Sequence, residues 1–296
     1  MFPFSRFPYV TALFSCGIFL LFIFLQNTVI YNSLQTVYST GVPTLLNRRN
    51  SAMRSDVFEW WQGLQSDSQK ANFSDVVDIL FSLFPDEEHY VVTDPNRCRI
   101  CAVVGNSGNI LGSHYGQLID SHDFVIRINK GPTKGYETDV GSKTTHRIMY
   151  PESAMDLDNS THLVLLPFKV KDMQWLIRVF TTKHITSTYL KVRPTINADR
   201  EKVMIIHPAF IKYVYESWLR KHGSYPSTGF ITLIFALHIC DQVSVFGFGA
   251  KLDGNWHHYF DESLAHFNRG RHGGDYENRT IHKLLLMNKI ALHKGL

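Results

Sequence analysis

The sequence predicts an α/β protein. It reads as one Rossmann-like domain with a mostly parallel central sheet flanked by helices, placed after an N-terminal transmembrane helix. Three observations carry this. Short apolar runs at Ile100–Val104, Phe124–Ile128, His146–Tyr150, Leu163–Pro167, Val203–Ile206 and Val243–Phe246 each read as a buried strand. Helical or loop segments separate these runs, the pattern of a parallel sheet covered on both faces. A long charge-free apolar stretch precedes all of them.

That stretch runs from Tyr9 to Leu25, with Val29 and Ile30 beyond it. About 20 apolar residues cross a bilayer as a helix. Arg6 in front of it keeps the short tail cytoplasmic, giving a type II arrangement. The tail is 1–8, the signal-anchor 9–30, the stem 31–52 and the luminal domain 53–296. A cleaved signal peptide is the competing reading, but the run is long for one and no small-x-small site follows. The stem carries Ser, Thr, Gly and Pro without helical periodicity. Asp56–Leu64 and Phe73–Phe84 read as amphipathic helices, and Pro85–Asn96 as a polar loop. Pro208–His222 reads as a helix with Pro near its start and Gly223 past its end. Thr228–Cys240 and Glu277–Leu292 read as two more.

The formal charge is +4 with histidine neutral, spread along 296 residues. That balance is too weak and too evenly spread to argue for a nucleic-acid partner, and it fits an anionic small substrate among many other things. Beyond Cys16 in the anchor, only Cys98, Cys101 and Cys240 remain, so an oxidising compartment leaves one thiol unpaired or bound to another chain. Sequons at Asn72, Asn159 and Asn278 are glycosylation candidates that fit the same secretory address.

Several segments carry chemistry. Cys101–Asn109 runs a buried strand into the turn Gly105-Asn106-Ser107-Gly108-Asn109. Glycines let backbone approach a ligand there, and free N–H groups suit a phosphate or ribose. The turn is neither a G-x-G-x-x-G fingerprint nor a Walker loop. A second strand ends at Asn129, whose amide both donates and accepts. Tyr225-Pro226-Ser227-Thr228-Gly229 opens a helix, where hydroxyls and amides make an anion site as readily as an ordinary cap. Trp256–Asp261 and Gly270–Glu277 offer histidines on separate loops as general base and phosphate partner. The glycines around His272 suggest a loop that closes over substrate. His257 reads as a packing or surface residue. Asp156-Leu157-Asp158 has the spacing of a manganese pair, but it precedes an apolar strand and abuts the Asn159 sequon, so it reads as a solvated loop.

These segments resemble, in order, the four motifs of the animal sialyltransferases. Cys101–Thr145 resembles the large motif and His207–Gly229 with the stretch to Phe248 the small one. His258-Tyr259-Phe260-Asp261 resembles the third, and His272 with Glu277 the very small motif. The wording, with His207-Pro208-Ala209-Phe210-Ile211-Lys212-Tyr213-Val214, is most similar to beta-galactoside alpha-2,3-sialyltransferases acting on Gal-beta-1,3-GalNAc. The likeness extends upstream through Trp60-Trp61 and Leu64-Gln65.

The resemblance implies a GT-A-variant fold and a Golgi-membrane, inverting enzyme with CMP-sialic acid as donor substrate. It implies galactose-terminated glycans as acceptors, and no metal or other cofactor. Asn106, Asn129, Ser227, Thr228, Gly229 and Gly249 would bind CMP. His258 would contact the departing phosphate, and His272 would take the proton from the galactose 3-hydroxyl. Gln65, Tyr189 and Tyr225 would line the substrate pocket, the first and last toward the acceptor. Cys101 and Cys240 would form a disulfide. The sequence departs from its relatives in lacking a cysteine between Gly17 and Arg97 to pair with Cys98. Cys98 is then unpaired, or it bridges two copies in a homodimer. Another linkage or acceptor, or a catalytically weak glycan-binding protein on the same fold, are the rival readings.

Overall fold

The computed structural model describes residues 41–65, 71–87, 90, 98–185, 187–188, 190–250, 257–261 and 272–296. The expected tail and anchor, and the stem up to residue 40, lie outside them. Among the described residues no helix is long and apolar enough to cross a membrane. Val42–Leu296 forms one compact unit.

Among the described residues seven strands make one sheet: β1 (Ile100–Val104), β2 (Phe124–Ile128), β3 (His146–Met149), β4 (His162–Leu165), β5 (Val203–Ile205), β6 (Gln242–Phe246) and β7 (Ala291–His293). Their spatial order is β5-β4-β3-β2-β1-β6-β7, and every neighbouring pair is parallel. β1 sits between β2 and β6, with Cys101 opposite Phe124 on one side and Val243 on the other. The chain first builds outward from β1 to β5 and then returns to β1's free edge. The switch point therefore lies between β1 and β6, at their carboxyl ends.

The strands are apolar on both faces because helices cover both. The helices are α1 (Ser55–Gln62), α2 (Phe73–Leu83), α3 (Gly116–Asp120), α4 (Glu137–Val140), α5 (Val170–Phe180), α6 (Pro208–Tyr213), α7 (Thr228–Ile239) and α8 (Gly274–Leu286). α7 is apolar all round and packs on β1, β2, β3 and β6. α1 packs on α6 and α2 on α5. Trp61 of α1 is wholly buried, and its indole N–H donates to the Pro167 carbonyl at 2.9 Å. The disulfide Cys101–Cys240 ties the start of β1 to the end of α7. Cys98 is a free, exposed thiol.

The six expected strands form, within a residue or two at each end. Four other stretches differ. The expected helix Pro208–His222 ends as α-helix at Tyr213 and continues as a π-turn, Val214–Trp218. That wider turn stacks Tyr215 on Trp60 at 5.3 Å. Arg220 and Lys221 then take left-handed backbone, which stops the helix. The expected helix Glu277–Leu292 begins earlier, at Gly274, and ends at Leu286. Asn288 is left-handed beyond it, and the last residues form strand β7. α5 has no counterpart in the sequence reading. Part of the stretch read as stem lies against the sheet: Leu46 is buried, and its N–H donates to the Ile205 carbonyl at 2.8 Å.

Candidate active site

A cavity of about 940 Å³ opens at the switch point. That is the size range of small-molecule sites. Asn106, Asn129, Ser227, Thr228, Gly229 and Gly249 line it, together with Gln65, Tyr225, His258 and His272. Tyr189 lies outside the described residues.

The turns after β1 and β6 lie back to back. The Gly105 N–H donates to the Phe246 carbonyl at 2.8 Å, and the Ser107 N–H to the Gly247 carbonyl at 3.0 Å. A Cβ on Gly105 would meet the Gly247 oxygen at 2.3 Å and the Phe248 ring at 2.7 Å, so only glycine fits. The Asn106 amide N–H₂ donates to the Ile128 carbonyl at 3.0 Å, locking the turn to the end of β2 and leaving Oδ1 as the amide's acceptor. Asn129 sits at φ 53°, held there by Arg147, whose Nη1 donates to its carbonyl at 2.7 Å. Arg147 is buried, which pushes its guanidinium down to about 10.

His258 is fastened to the same turn. The Tyr259 N–H donates to the Asn106 carbonyl at 3.0 Å, and the Gly108 N–H to the His257 carbonyl at 2.8 Å. Burial pushes the His258 imidazole below the ordinary histidine range, while Asp261 pulls the other way. His257 is buried and donates through Nδ1 to the His258 carbonyl, so of the packing and surface readings the packing one holds.

Further lining comes from α7, α8 and the turn at Gly223. Ser227 caps α7 by accepting from the Phe230 N–H at 3.1 Å. Its own N–H and hydroxyl donate to the two oxygens of Glu277, at 2.7 and 2.6 Å. Burial raises the Glu277 carboxyl, against those hydrogen bonds and the charge of His272. His272 donates through Nδ1 to the Tyr225 carbonyl at 3.1 Å. A carbonyl only accepts, so the neutral ring carries its proton on Nδ1 and its lone pair on Nε2. That is the tautomer of a general base. Aromatic contacts run from Tyr150 to Phe168 (6.0 Å), to Tyr225 (5.3 Å), to the edge of His272 (4.9 Å).

Sequence reasoning missed Tyr150, Phe168 and His222 as lining residues. It also missed the tie between Glu277 and Ser227, although their motifs carried the signal. The candidate metal pair does not line the cavity. Asp156 accepts from Arg193 at 2.7 Å and from the Asn197 N–H, and Asp158 from Ser160 and Thr161. Asn72 and Asn159 are exposed, whereas Asn278 lies on α8 and lines the cavity.

A parallel sheet with a switch-point cavity, a glycine-asparagine turn and two histidines on separate loops defines a nucleotide-dependent transferase site. The chain belongs to glycosyltransferase family 29 (sialyltransferase), whose model matches residues 45–289. It is 49% identical over 279 residues to the mouse (Mus musculus) CMP-N-acetylneuraminate-beta-galactosamide-alpha-2,3-sialyltransferase 1, covering 91% of this chain and 81% of that one. The Sus scrofa protein of the same name is 46% identical, with 87% and 76% covered. A mammalian sialyltransferase crystallised with Gal-beta-1-3GalNAc-ortho-nitrophenol superposes with a TM-score of 0.82 at 44% identity, over 90% of this chain and 95% of that one.

Proposed function

We propose that this sialyltransferase moves sialic acid from CMP-sialic acid to the 3-hydroxyl of a terminal galactose in Gal-beta-1,3-GalNAc, on glycoproteins or glycolipids. One observation carries the reading. His258 and His272 line one cavity, the His258 segment hydrogen-bonded to the Asn106 turn and His272 to the Tyr225 carbonyl. The beta-galactosamide and alpha-2,3 wording of the relatives' names supports the choice of acceptor and linkage.

In this reading Asn106, Asn129, Gly249 and the α7 amino end hold the CMP moiety. The galactose 3-oxygen attacks the anomeric carbon and gives its proton to His272 Nε2. The bond from that carbon to the phosphate oxygen breaks, CMP leaves with the electron pair, and His258 meets the phosphate. Attack from the face opposite the leaving group inverts the centre. Both charges are handled by imidazoles, so no metal is required, and the Asp156 and Asp158 carboxylates are committed elsewhere. Gln65 and Tyr225 face the acceptor. The 9–30 segment would anchor the chain in the Golgi membrane with Val42–Leu296 in the lumen, which the disulfide and the exposed sequons support.

The test is transfer from radiolabelled CMP-sialic acid to an acceptor panel in excess EDTA, with linkage-specific sialidase digestion of the product. Transfer to Gal-beta-1,3-GalNAc, with product cut only by an alpha-2,3-specific sialidase, is expected. Another linkage, or activity that needs manganese, would overturn the assignment.

A further inference from the structure

Lys169 lies just before α5 with a side chain only 1% exposed. A buried ammonium is costly unless every N–H finds a partner. Here Asp172 Oδ1 lies at 2.7 Å, Glu152 Oε1 at 3.9 Å, and the Gln65 amide oxygen accepts from Nζ at 2.6 Å. The carboxylates are held in turn. The Phe168 N–H donates to Asp172 Oδ2 at 2.8 Å, and the Thr188 hydroxyl donates to Glu152. Burial pushes the Asp172 carboxyl up to about 6, against the pull of Lys169.

Of the three partners Asp172, Glu152 and Gln65, Gln65 lines the cavity. An ammonium can only donate, so it selects the amide oxygen and leaves the N–H₂ as Gln65's other polar group. Unheld, the amide is free to turn over and offer either end.

We propose that Lys169 is a positioning residue of the acceptor site. It fixes Gln65 so that the amide presents N–H₂, a donor, to a hydroxyl oxygen of the acceptor sugar. This rests on the acceptor role of Gln65 proposed above. Phe168, its neighbour in the chain, packs on Tyr225, so one buried anchor also steadies the aromatic wall. Thr188 extends the same network to the residue before Tyr189.

Initial-rate kinetics on the full chain in detergent, with CMP-sialic acid and Gal-beta-1,3-GalNAc, test this. Gln65→Glu keeps the oxygen for Lys169 and loses the N–H₂. It is expected to raise the acceptor KM about tenfold, the worth of one hydrogen bond, and to leave the donor KM within about twofold. Lys169→Met is expected to raise the acceptor KM by a similar factor and to add nothing in a Gln65→Ala background. If Lys169→Met does not accumulate folded, Gln65→Glu decides alone. A wild-type acceptor KM in Gln65→Glu, equal rises in both KM values, or additive effects of Lys169→Met and Gln65→Ala would each overturn the inference. Those results with an active wild type defeat the inference alone. A wild type with no turnover defeats the functional reading beneath it, and the inference too.

Discussion

The two walls of the cavity are built from different materials. The part assigned to the donor in the proposed reading is largely backbone: the turns after β1 and β6 touch through Gly105 and Gly247, and the His258 segment joins them by amide–carbonyl bonds. The part assigned to the acceptor in the proposed reading is largely side chain, with Gln65 on Lys169 and Tyr225 between Phe168 and His272. A backbone wall has no rotamers to lose and little room to give. A side-chain wall can change its specificity one residue at a time.

Substitutions should therefore act differently on the two walls. The largest expected effect is at the base. His272→Ala should lower kcat about 10²–10⁴-fold, the usual contribution of a general base, with CMP affinity unchanged. A variant that kept most of its turnover would remove His272 from the chemistry. Next, Gly105→Ala sets a methyl against backbone that cannot move aside. It should cost about 1–3 kcal/mol of stability and raise the donor KM more than the acceptor KM, read by thermal melts and kinetics.

Reduction of Cys101–Cys240 should cost about 2–5 kcal/mol, seen as a lower Tm. An unchanged Tm would mean that the bridge does not constrain the unfolded chain.

His258 gives a pH signature. Its pKa in the free protein lies below the ordinary value, so the ring is neutral near pH 7. A phosphate favours the protonated ring and draws in a proton. The donor KM should fall as pH drops from about 8 to about 6, and His258→Gln should lose that slope. The stability effect has the opposite sign. A depressed folded pKa gives stability that is present above the unfolded value and lost as pH falls through it. The smallest expected effect is at Asp156→Asn, which should leave turnover within about twofold, because that carboxylate faces Arg193 and Asn197.

The same contrast explains what could be read from sequence. The part assigned to the donor was half legible: glycine and asparagine at strand ends mark a turn as readily as a ligand site, and the motif resemblance tipped the reading. Its turn, Asn129 and the Ser227 cap all line the cavity as expected. The acceptor wall was legible only by resemblance, at Gln65 and Tyr225. Lys169, Asp172 and Glu152 look like surface residues in one dimension, and only the fold brings them onto one buried ammonium. Lys169 and Asp172 also stand at the start of α5, which went unread even though Val170, Met173, Leu176 and Val179 repeat at helical spacing. β7 was missed because three residues after a helix carry little periodic signal.

Whether the two imidazoles serve the two ends of a single displacement is decided most directly by a complex of the full chain with an unreactive CMP-sialic acid analogue and Gal-beta-1,3-GalNAc. The galactose 3-oxygen should lie within hydrogen-bond reach of His272 Nε2, about 2.6–3.2 Å, with the donor phosphate beside His258. Both histidines on the same side of the anomeric carbon, or the acceptor hydroxyl bound away from residue 272, would contradict it.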